Sequence, residues 1–482
     1  MASRGILSYG VHLPYRRLDR SEIRPVAGSG GGTGTRTVAS YDEDTTTMAV
    51  EAGRLALRDA ASAVEPTSLW FSTVAPAYAD KTNATAVHAA LRLDAAAPAF
   101  DANGSVRSAV GALRAALASS GAGGGPALVV ASDVRIGLPG STDEATGGDA
   151  GSALLLGSGT DGELLAEVIG TASATEEFLD RWRAPGEVRS KLWEERFGEG
   201  RYLSLAPRAW EDALKDAGLV AEQVDRVLIA GAQARAVNGL AKRLVLGERL
   251  DPVGARLDST VGFTGAAHPG LLLAAALDTV SPGQVLALVV LSDGADVVVL
   301  RATEAAAGRR RSRPVDAQVA AGGSIAYGKT LAWRGLLPVE PPRRPEPARP
   351  SASAAARSAD WKFGFVGSED EDGAVHLPPA PTDDKERPMA GATGTVVTFT
   401  IDKLAYSPSP PVVFAVVDFD GGGRLPVELT DVDADEVRIG GRVEMTFRKL
   451  FTADGIHNYF WKARPIRTGP AETPAGPAAE GS

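Results

Sequence analysis

SYGVHLPYRRLDRSEI (residues 8–23) and YDEDTTTMAVEAGRLAL (residues 41–57) decide how this chain begins to fold. The run from Gly5 to Leu13 is rich in apolar residues and reads as a strand. Thr45 to Ala61 spaces its apolar residues as a helix does. Asp44 stands where an N-cap belongs, because its carboxylate can accept the free N–H groups of a first turn. Strand followed by amphipathic helix is the opening unit of an α/β fold.

The theme continues outward. Leu69 to Val74 reads as a buried strand, Lys81 to Leu91 and Arg107 to Ser119 as helices, and Ala127 to Ser132 and Ala150 to Gly157 as strands. A second series follows. Ser204 to Leu219 is an amphipathic helix, Val224 to Gly231 a strand and Ala234 to Val245 a helix. His268 to Val280 is an apolar helix, and Val285 to Thr303 makes two strands joined at Asp293-Gly294. Two βαβ-rich halves of similar order imply a duplicated α/β core.

Length and composition set limits. A chain of 482 residues with 44% hydrophobic content predicts two to four domains and a sizeable core. Zero cysteine excludes disulfides and thiolate metal sites. A net charge of -10 disfavours general binding to nucleic acid or anionic membranes, which needs a basic field. The first residues lack the continuous apolar segment of a signal peptide, and LLLAAALDTV and VLALVVLS are too short to span a bilayer, so a cytoplasmic protein is expected.

Two linkers are expected at Ala305–Gln318, where Arg309 to Arg311 reads as a solvated run, and at Pro338–Ser358, whose Pro, Arg and Ala content predicts an extended semi-rigid spacer. Beyond it the pattern turns to strands: Thr395 to Ile401, Pro411 to Asp418, Leu425 to Leu429, Arg442 to Leu450 and Asn458 to Ala463. Five short strands with turns at Gly421–Gly423 and Asp454-Gly455 fit a small barrel, with an OB-fold the leading candidate. Phe399, Phe414, Phe419 and Phe447 could be stacking platforms for bases, but their alternation favours barrel core. The tail after Arg467 reads as disordered.

The two opening blocks, with ASDV (131–134), GGDAGSALLLG (147–157) and VGFTGAAHPG (261–270), resemble the 3-hydroxy-3-methylglutaryl-CoA synthase family. The resemblance implies a thiolase-type layered α-β-α-β-α fold over residues 1–340, divided near 165, and a dimer through that domain. It also implies acyl-CoA chemistry carried by a cysteine thiolate, a histidine and an acidic residue. WKFGFVGSEDEDGAVHLPP (361–379), GTVVTFTIDKLAYSPSPPVVFAVVDFDGGG (394–423) and YFWKARPI (459–466) resemble the acyl-CoA-associated OB-fold family. That resemblance implies a zinc ribbon over 361–393, a barrel over 394–466 and docking on thiolase-fold enzymes.

The motifs depart from the family's chemistry. DANGSVRSAVGAL (101–113) matches the nucleophile motif, and the cysteine position falls on Val106. Ser105 is the only neighbouring hydroxyl, a substitute nucleophile or a helix N-cap. The histidine position falls on Gln233, which cannot accept a proton as a base. The asparagine that polarises the carbonyl is replaced by Phe263, followed by Thr264 and Gly265. His268 on the same turn is the best acid/base candidate, or else a helix-start residue capping its own backbone. The glutamate position falls near Thr73, with Tyr78 and Asp80 as polar neighbours. The zinc ligands are replaced by Ser368, acidic residues and a shortened segment around Asp383–Arg387. His376 cannot stand in for them, so no zinc or other cofactor is expected beyond a coenzyme A thioester as ligand or substrate.

Three functions follow as expectations. The first is an acyl-CoA-binding partner or channelling subunit for an active thiolase or aldolase. The second is a cysteine-free lyase or acyltransferase using His268 with Tyr78 or Ser105. The third, disfavoured by charge, is an OB-fold nucleic-acid binder.

Overall fold

The computed structural model describes residues 3–61, 64–308, 311–382 and 384–467. The tail assigned to disorder, and Arg309 and Arg310 of the arginine run, lie outside them.

Nine strands form the principal sheet: β1 (Arg4–His12), β2 (Ser68–Ser72), β3 (Ala99–Asp101), β4 (Ala127–Asp133), β5 (Ala150–Ser158), β6 (Ala166–Ala174), β7 (Arg226–Gly231), β8 (Val285–Leu291) and β9 (Ala295–Ala302). Their order is β7-β8-β9-β6-β1-β5-β4-β2-β3. The duplication that sequence suggested is explicit in the pairing. From β1 outward the neighbours are antiparallel β5, antiparallel β4, then parallel β2. From β6 outward they are antiparallel β9, antiparallel β8, then parallel β7. The halves join where Gly5 faces Glu167 across β1 and β6. A side chain at Gly5 would run into the Ala166 carbonyl, so glycine is required at that crossing.

Five of the helices that flank the sheet matter most for the site: α1 (Thr45–Arg58), α2 (Arg107–Ser119), α3 (Glu195–Ala217), α4 (Ala234–Arg243) and α5 (His268–Leu277). Helices α2 and α5 lie between the two halves. One core cluster joins Leu113 and Ala116 of α2, Leu271 and Leu272 of α5, Leu154 and Leu156 of β5, and Leu288 and Val298 of β8 and β9. Nine of the ten residues of α5 are buried, which is why that helix is apolar on every side. Helix α1 covers the outer face of one half and α3 the outer face of the other. Asp44 caps α1 as expected: its carboxylate accepts the Thr47 N–H at 3.0 Å while Thr47 Oγ1 accepts the Asp44 N–H at 2.9 Å. Helix α3 begins nine residues before the predicted Ser204, because its polar first turns lack the apolar spacing that marks the rest.

Strands β10 (Thr393–Asp402), β11 (Val412–Phe419), β12 (Arg424–Leu429), β13 (Arg442–Ala453) and β14 (Ile456–Pro465) close a barrel in the order β10-β11-β12-β14-β13. Phe419 and Phe447 are core residues, whereas Phe399 is half-buried and Phe414 is exposed. The preceding segment forms a three-stranded sheet of Val366–Glu369, Val375–His376 and Lys385–Pro388. Its residues do not fit a tetrahedral zinc. Ser368 Oγ accepts the Ala380 N–H at 2.9 Å, and His376 Nε2 bonds to Asp370 Oδ2 at 2.9 Å. Aromatic packing anchors this segment instead. Phe365 is fully buried and stacks on Trp461 at 5.9 Å, while Trp461 Nε1 donates to the Phe363 carbonyl at 2.8 Å.

Both expected linkers are more structured than their composition suggested. Residues Val315–Ala320 are helical, and Gln318 accepts the Leu13 N–H at 3.0 Å and donates to the Val11 carbonyl at 2.9 Å. Ala352–Arg357 form a helix within the expected extended spacer, since alanine favours helix once Ser351 caps the first turn.

The barrel docks on α1 of its own chain through buried charges. Arg448 and Lys462 are 0% exposed. Arg448 Nη1 lies 2.7 Å from Glu43 and 3.5 Å from Asp42, and its Nη2 lies 2.6 Å from Asp431. Lys462 Nζ lies 3.0 Å from Asp42 and pairs with Glu428. Tyr459 donates to Asp44 at 2.9 Å, so the capping aspartate also receives the barrel. Buried ions need this density of partners to offset lost hydration.

Candidate functional site

A cavity of about 780 Å³ opens at the carboxyl ends of the parallel strands β2, β3, β4, β7 and β8, where ligands bind in open α/β sheets. Each strand end delivers one stretch of wall: Val74 after β2, Asn103 to Val106 after β3, Arg135 after β4, Gly231 to Gln233 after β7, and Ser292 and Asp293 after β8. A short hairpin, Arg181–Trp182 paired with Lys191–Leu192, supplies another wall.

The tertiary structure brings together the nucleophile, base and polariser positions read from the three motifs: Val106, Gln233 and Phe263 all line this cavity. Ser105 lines it too. Its hydroxyl has no hydrogen-bond partner among the described residues, so it is not an N-cap, and no base contacts it. An unassisted serine hydroxyl is a poor nucleophile.

The other predicted residues stand elsewhere. His268 is 2% exposed and does not line the cavity. It packs against the Phe263 ring at 4.8 Å, and its Nδ1 accepts the Thr264 N–H at a long 3.4 Å. Burial pushes its imidazole down to about 4, so it is neutral at pH 7. Tyr78 faces the barrel. Its hydroxyl accepts the His457 N–H at 2.8 Å and its ring packs on His457 at 5.2 Å.

Thr73 and Gly265 stand behind the wall against Asp133, and Thr264 beside them faces His268 Nδ1. The Asp133 carboxylate is fully buried and accepts from Thr73 Oγ1 at 2.8 Å, Val74 N–H at 2.8 Å and Ala266 N–H at 2.6 Å. Gly265 has φ +58, and a Cβ there would meet Asp133 Oδ2 at 2.0 Å. The loop glycine is therefore set by both backbone conformation and this carboxylate.

Motif reading missed the cavity's charged groups. Asp180 accepts from Tyr202 Oη at 3.0 Å and from Gln233 Nε2 at 2.9 Å, and burial holds its carboxyl above the usual range. Arg135 is 9% exposed, and its guanidinium makes no hydrogen bond or ion pair among the described residues. It lies 5.8 Å over the Phe263 ring. Burial, then the neighbouring Arg181, push it down to about 10. Arg181 is held by Asp143 through two contacts of 2.7 Å, and Arg183 by the Val74 carbonyl. The available signal was a charge placed just past a buried strand, as in Ser132-Asp133-Val134-Arg135, and the charged, aromatic run Asp180-Arg181-Trp182-Arg183.

Comparisons with known proteins agree with the fold. The family described as "ChsH2, C-terminal OB-fold domain" matches residues 386–448. The hydroxymethylglutaryl-CoA synthase of Pyrococcus furiosus is 28% identical over 299 residues, covering 60% of this chain and 83% of that protein. The same enzyme from Methanosphaera stadtmanae is 26% identical over 308 residues, covering 60% and 86%. Among solved structures, MvaS in complex with 3-hydroxy-3-methylglutaryl coenzyme A superposes with a TM-score of 0.60 at 21% identity, covering 73% of this chain and 95% of that one. An HMG-CoA synthase complexed with CoA gives 0.59 at 16% identity, covering 68% and 89%. The chain is a hydroxymethylglutaryl-CoA synthase-like thiolase-fold protein with a C-terminal ChsH2-type OB-fold domain, and it contains no cysteine.

Proposed function

We propose that this synthase-like chain binds an acyl-CoA thioester in the 780 Å³ cavity without forming an acyl-enzyme, and serves an active thiolase or aldolase as an accessory subunit. One observation carries the reading. The three positions that would hold nucleophile, base and polariser meet on the cavity wall as Val106, Gln233 and Phe263. Valine offers no nucleophile, glutamine no base and phenylalanine no donor to a carbonyl oxygen. The pocket is kept and the acyl-transfer groups are gone.

The cavity's charge narrows the ligand. Arg135 faces it with no carboxylate of its own, and Arg181 and Arg183 stand nearby. A buried guanidinium without a partner favours an acyl group bearing a carboxylate. The barrel's buried cations are engaged with Asp42, Glu43 and Glu428 of the same chain, so a separate enzyme partner would meet another face. Dimerisation through the thiolase-fold body remains part of the proposal.

A second reading rests on Asp180. It lines the cavity with a raised carboxyl pKa and holds Tyr202 and Gln233, an arrangement suited to moving a proton in a cysteine-free lyase. His268 and Tyr78 do not line the cavity beside Ser105, whereas Asp180 does.

Calorimetric titration of the full chain with acyl-CoA thioesters, followed by intact-mass spectrometry and turnover assays, tests both. Saturable binding, no covalent adduct and no turnover support the accessory role. Turnover lost in Asp180→Asn with binding kept would establish the lyase. Absence of thioester binding removes both.

A further inference from the structure

We infer that the cleft between the α/β body and the barrel is a polyphosphate site built jointly by the two domains. It comprises two adjoining hollows of about 700 and 330 Å³ that share Arg58, Arg313, Glu444 and Arg464 as lining. Neither shares a lining residue with the acyl cavity.

The body contributes Arg54 and Arg58 from α1, together with Arg313. The barrel contributes Arg464, at the end of β14, and Arg467 just beyond it. Among the described residues three carboxylates serve the four guanidiniums of Arg54, Arg58, Arg313 and Arg464, and Arg467 adds a fifth cation. Glu51 pairs with Arg54 at 2.7 Å and with Arg464 at 3.1 Å. Glu444 pairs with Arg464 at 3.0 Å and also with Arg313. Arg58 is half-exposed with its nearest acid, Asp59, at 3.7 Å. Arg467 has no carboxylate contact among the described residues; it donates to the Asp431 carbonyl and lies 3.6 Å over the Tyr15 ring.

This surplus of positive charge sits in a chain whose net charge is -10. Cations crowded in a partly buried cleft repel one another. Arg464, and then burial, push the Arg313 guanidinium down to about 9. An anion with two or more phosphates relieves that repulsion and suits the forked donors of several arginines. Glu51 and Glu444 each already bridge body and barrel with a single charge, so the guanidiniums left over call for an anion of higher charge. Because the walls belong to different domains, such a ligand also tightens the barrel on the body.

The shared chemistry is that of a di- or triphosphate, supplied by the nucleotide end of coenzyme A or by a free nucleotide. The experiment uses the full chain at low ionic strength with inorganic tripolyphosphate as probe, read by calorimetry and thermal unfolding. Saturable binding that raises the Tm is expected. Arg58→Gln with Arg467→Gln should weaken it at least about 10-fold while the unliganded Tm holds, because these side chains are not the buried pairs of the interface. Glu444→Gln should tighten binding, an effect that a purely structural role for the arginines does not produce. Displacement of the probe by coenzyme A assigns the site to that cofactor's nucleotide end; displacement by ATP but not coenzyme A assigns it to a free nucleotide. Val106→Phe, which fills the acyl cavity, should leave tripolyphosphate binding unchanged. No saturable binding, or equal affinity in the Arg58/Arg467 double variant, overturns the inference.

Discussion

Replacing Arg448 with methionine should loosen the barrel from the α/β body. The guanidinium is fully buried and lies 2.7 Å from Glu43, 2.6 Å from Asp431 and 3.5 Å from Asp42. Methionine is of similar length but leaves three carboxylates with one fewer cation. Lys462, 3.0 Å from Asp42, is the buried cation that remains beside them. Breaking a buried ion pair by removing one partner costs about 3–5 kcal/mol, chiefly through the charge left behind. A loss of that size is expected in urea unfolding, together with faster hydrogen exchange in β13 and β14.

The pH dependence has a defined direction. Burial raises the Asp42 carboxyl, but Lys462 and Arg448 outweigh it and hold it at about 2, against an ordinary 3.8. A depressed carboxylate stabilises the fold above the unfolded value and loses that contribution as pH falls toward 2, about 2 kcal/mol in all. Removing Arg448 should raise the Asp42 pKa and move the acid transition to higher pH. Arg448→Lys should fall between, because it keeps the charge and loses the fork. A loss below about 1 kcal/mol in Arg448→Met, with unchanged exchange in the barrel, would refute the claim that these charges dock it.

Three further outcomes can be measured. Val106→Phe should weaken thioester binding about 10-fold or more, because the ring enters the cavity; unchanged affinity would place the acyl group elsewhere. Arg135→Gln should lower affinity for a carboxylate-bearing thioester by about 10- to 100-fold, from the loss of a charge-assisted hydrogen bond of about 1.5–3 kcal/mol, and should spare acetyl-CoA. Equal losses for both ligands would show that Arg135 does not read the acyl charge. His268 takes up a proton when unfolded as pH falls through 6.5, but when folded only near 4, so stability is lost across that window by about 3 kcal/mol. His268→Gln should flatten the Tm profile between those values, and an unchanged slope would mean that the imidazole is not held neutral by burial.

The order of strands and helices was legible because apolar periodicity is local. The runs at Gly5–Leu13, Arg107–Ser119 and Ala127–Ser132 meet the observed elements within a residue or so at each end, and Asp44 caps the helix it precedes. The five barrel strands were legible for the same reason. So was the convergence of Val106, Gln233 and Phe263, since each stands in a motif with a recognisable place in the fold. The absence of a thiol was also written in the chain, because no fold can supply one where the sequence has no cysteine.

Proximity across the fold was not legible. Tyr78 and His268 look like cavity residues by their neighbours in sequence, yet one faces the barrel and the other is buried behind Phe263. Asp180 meets Tyr202 and Gln233 only because a hairpin, the start of α3 and the end of β7 converge. Arg448 meets Glu43 across some four hundred residues of chain. Sequence determines which segments are apolar and at what period, and therefore which elements form. Whether a charged side chain is solvated, paired or aimed into a cavity depends on what packs against it, and only the tertiary structure decides that.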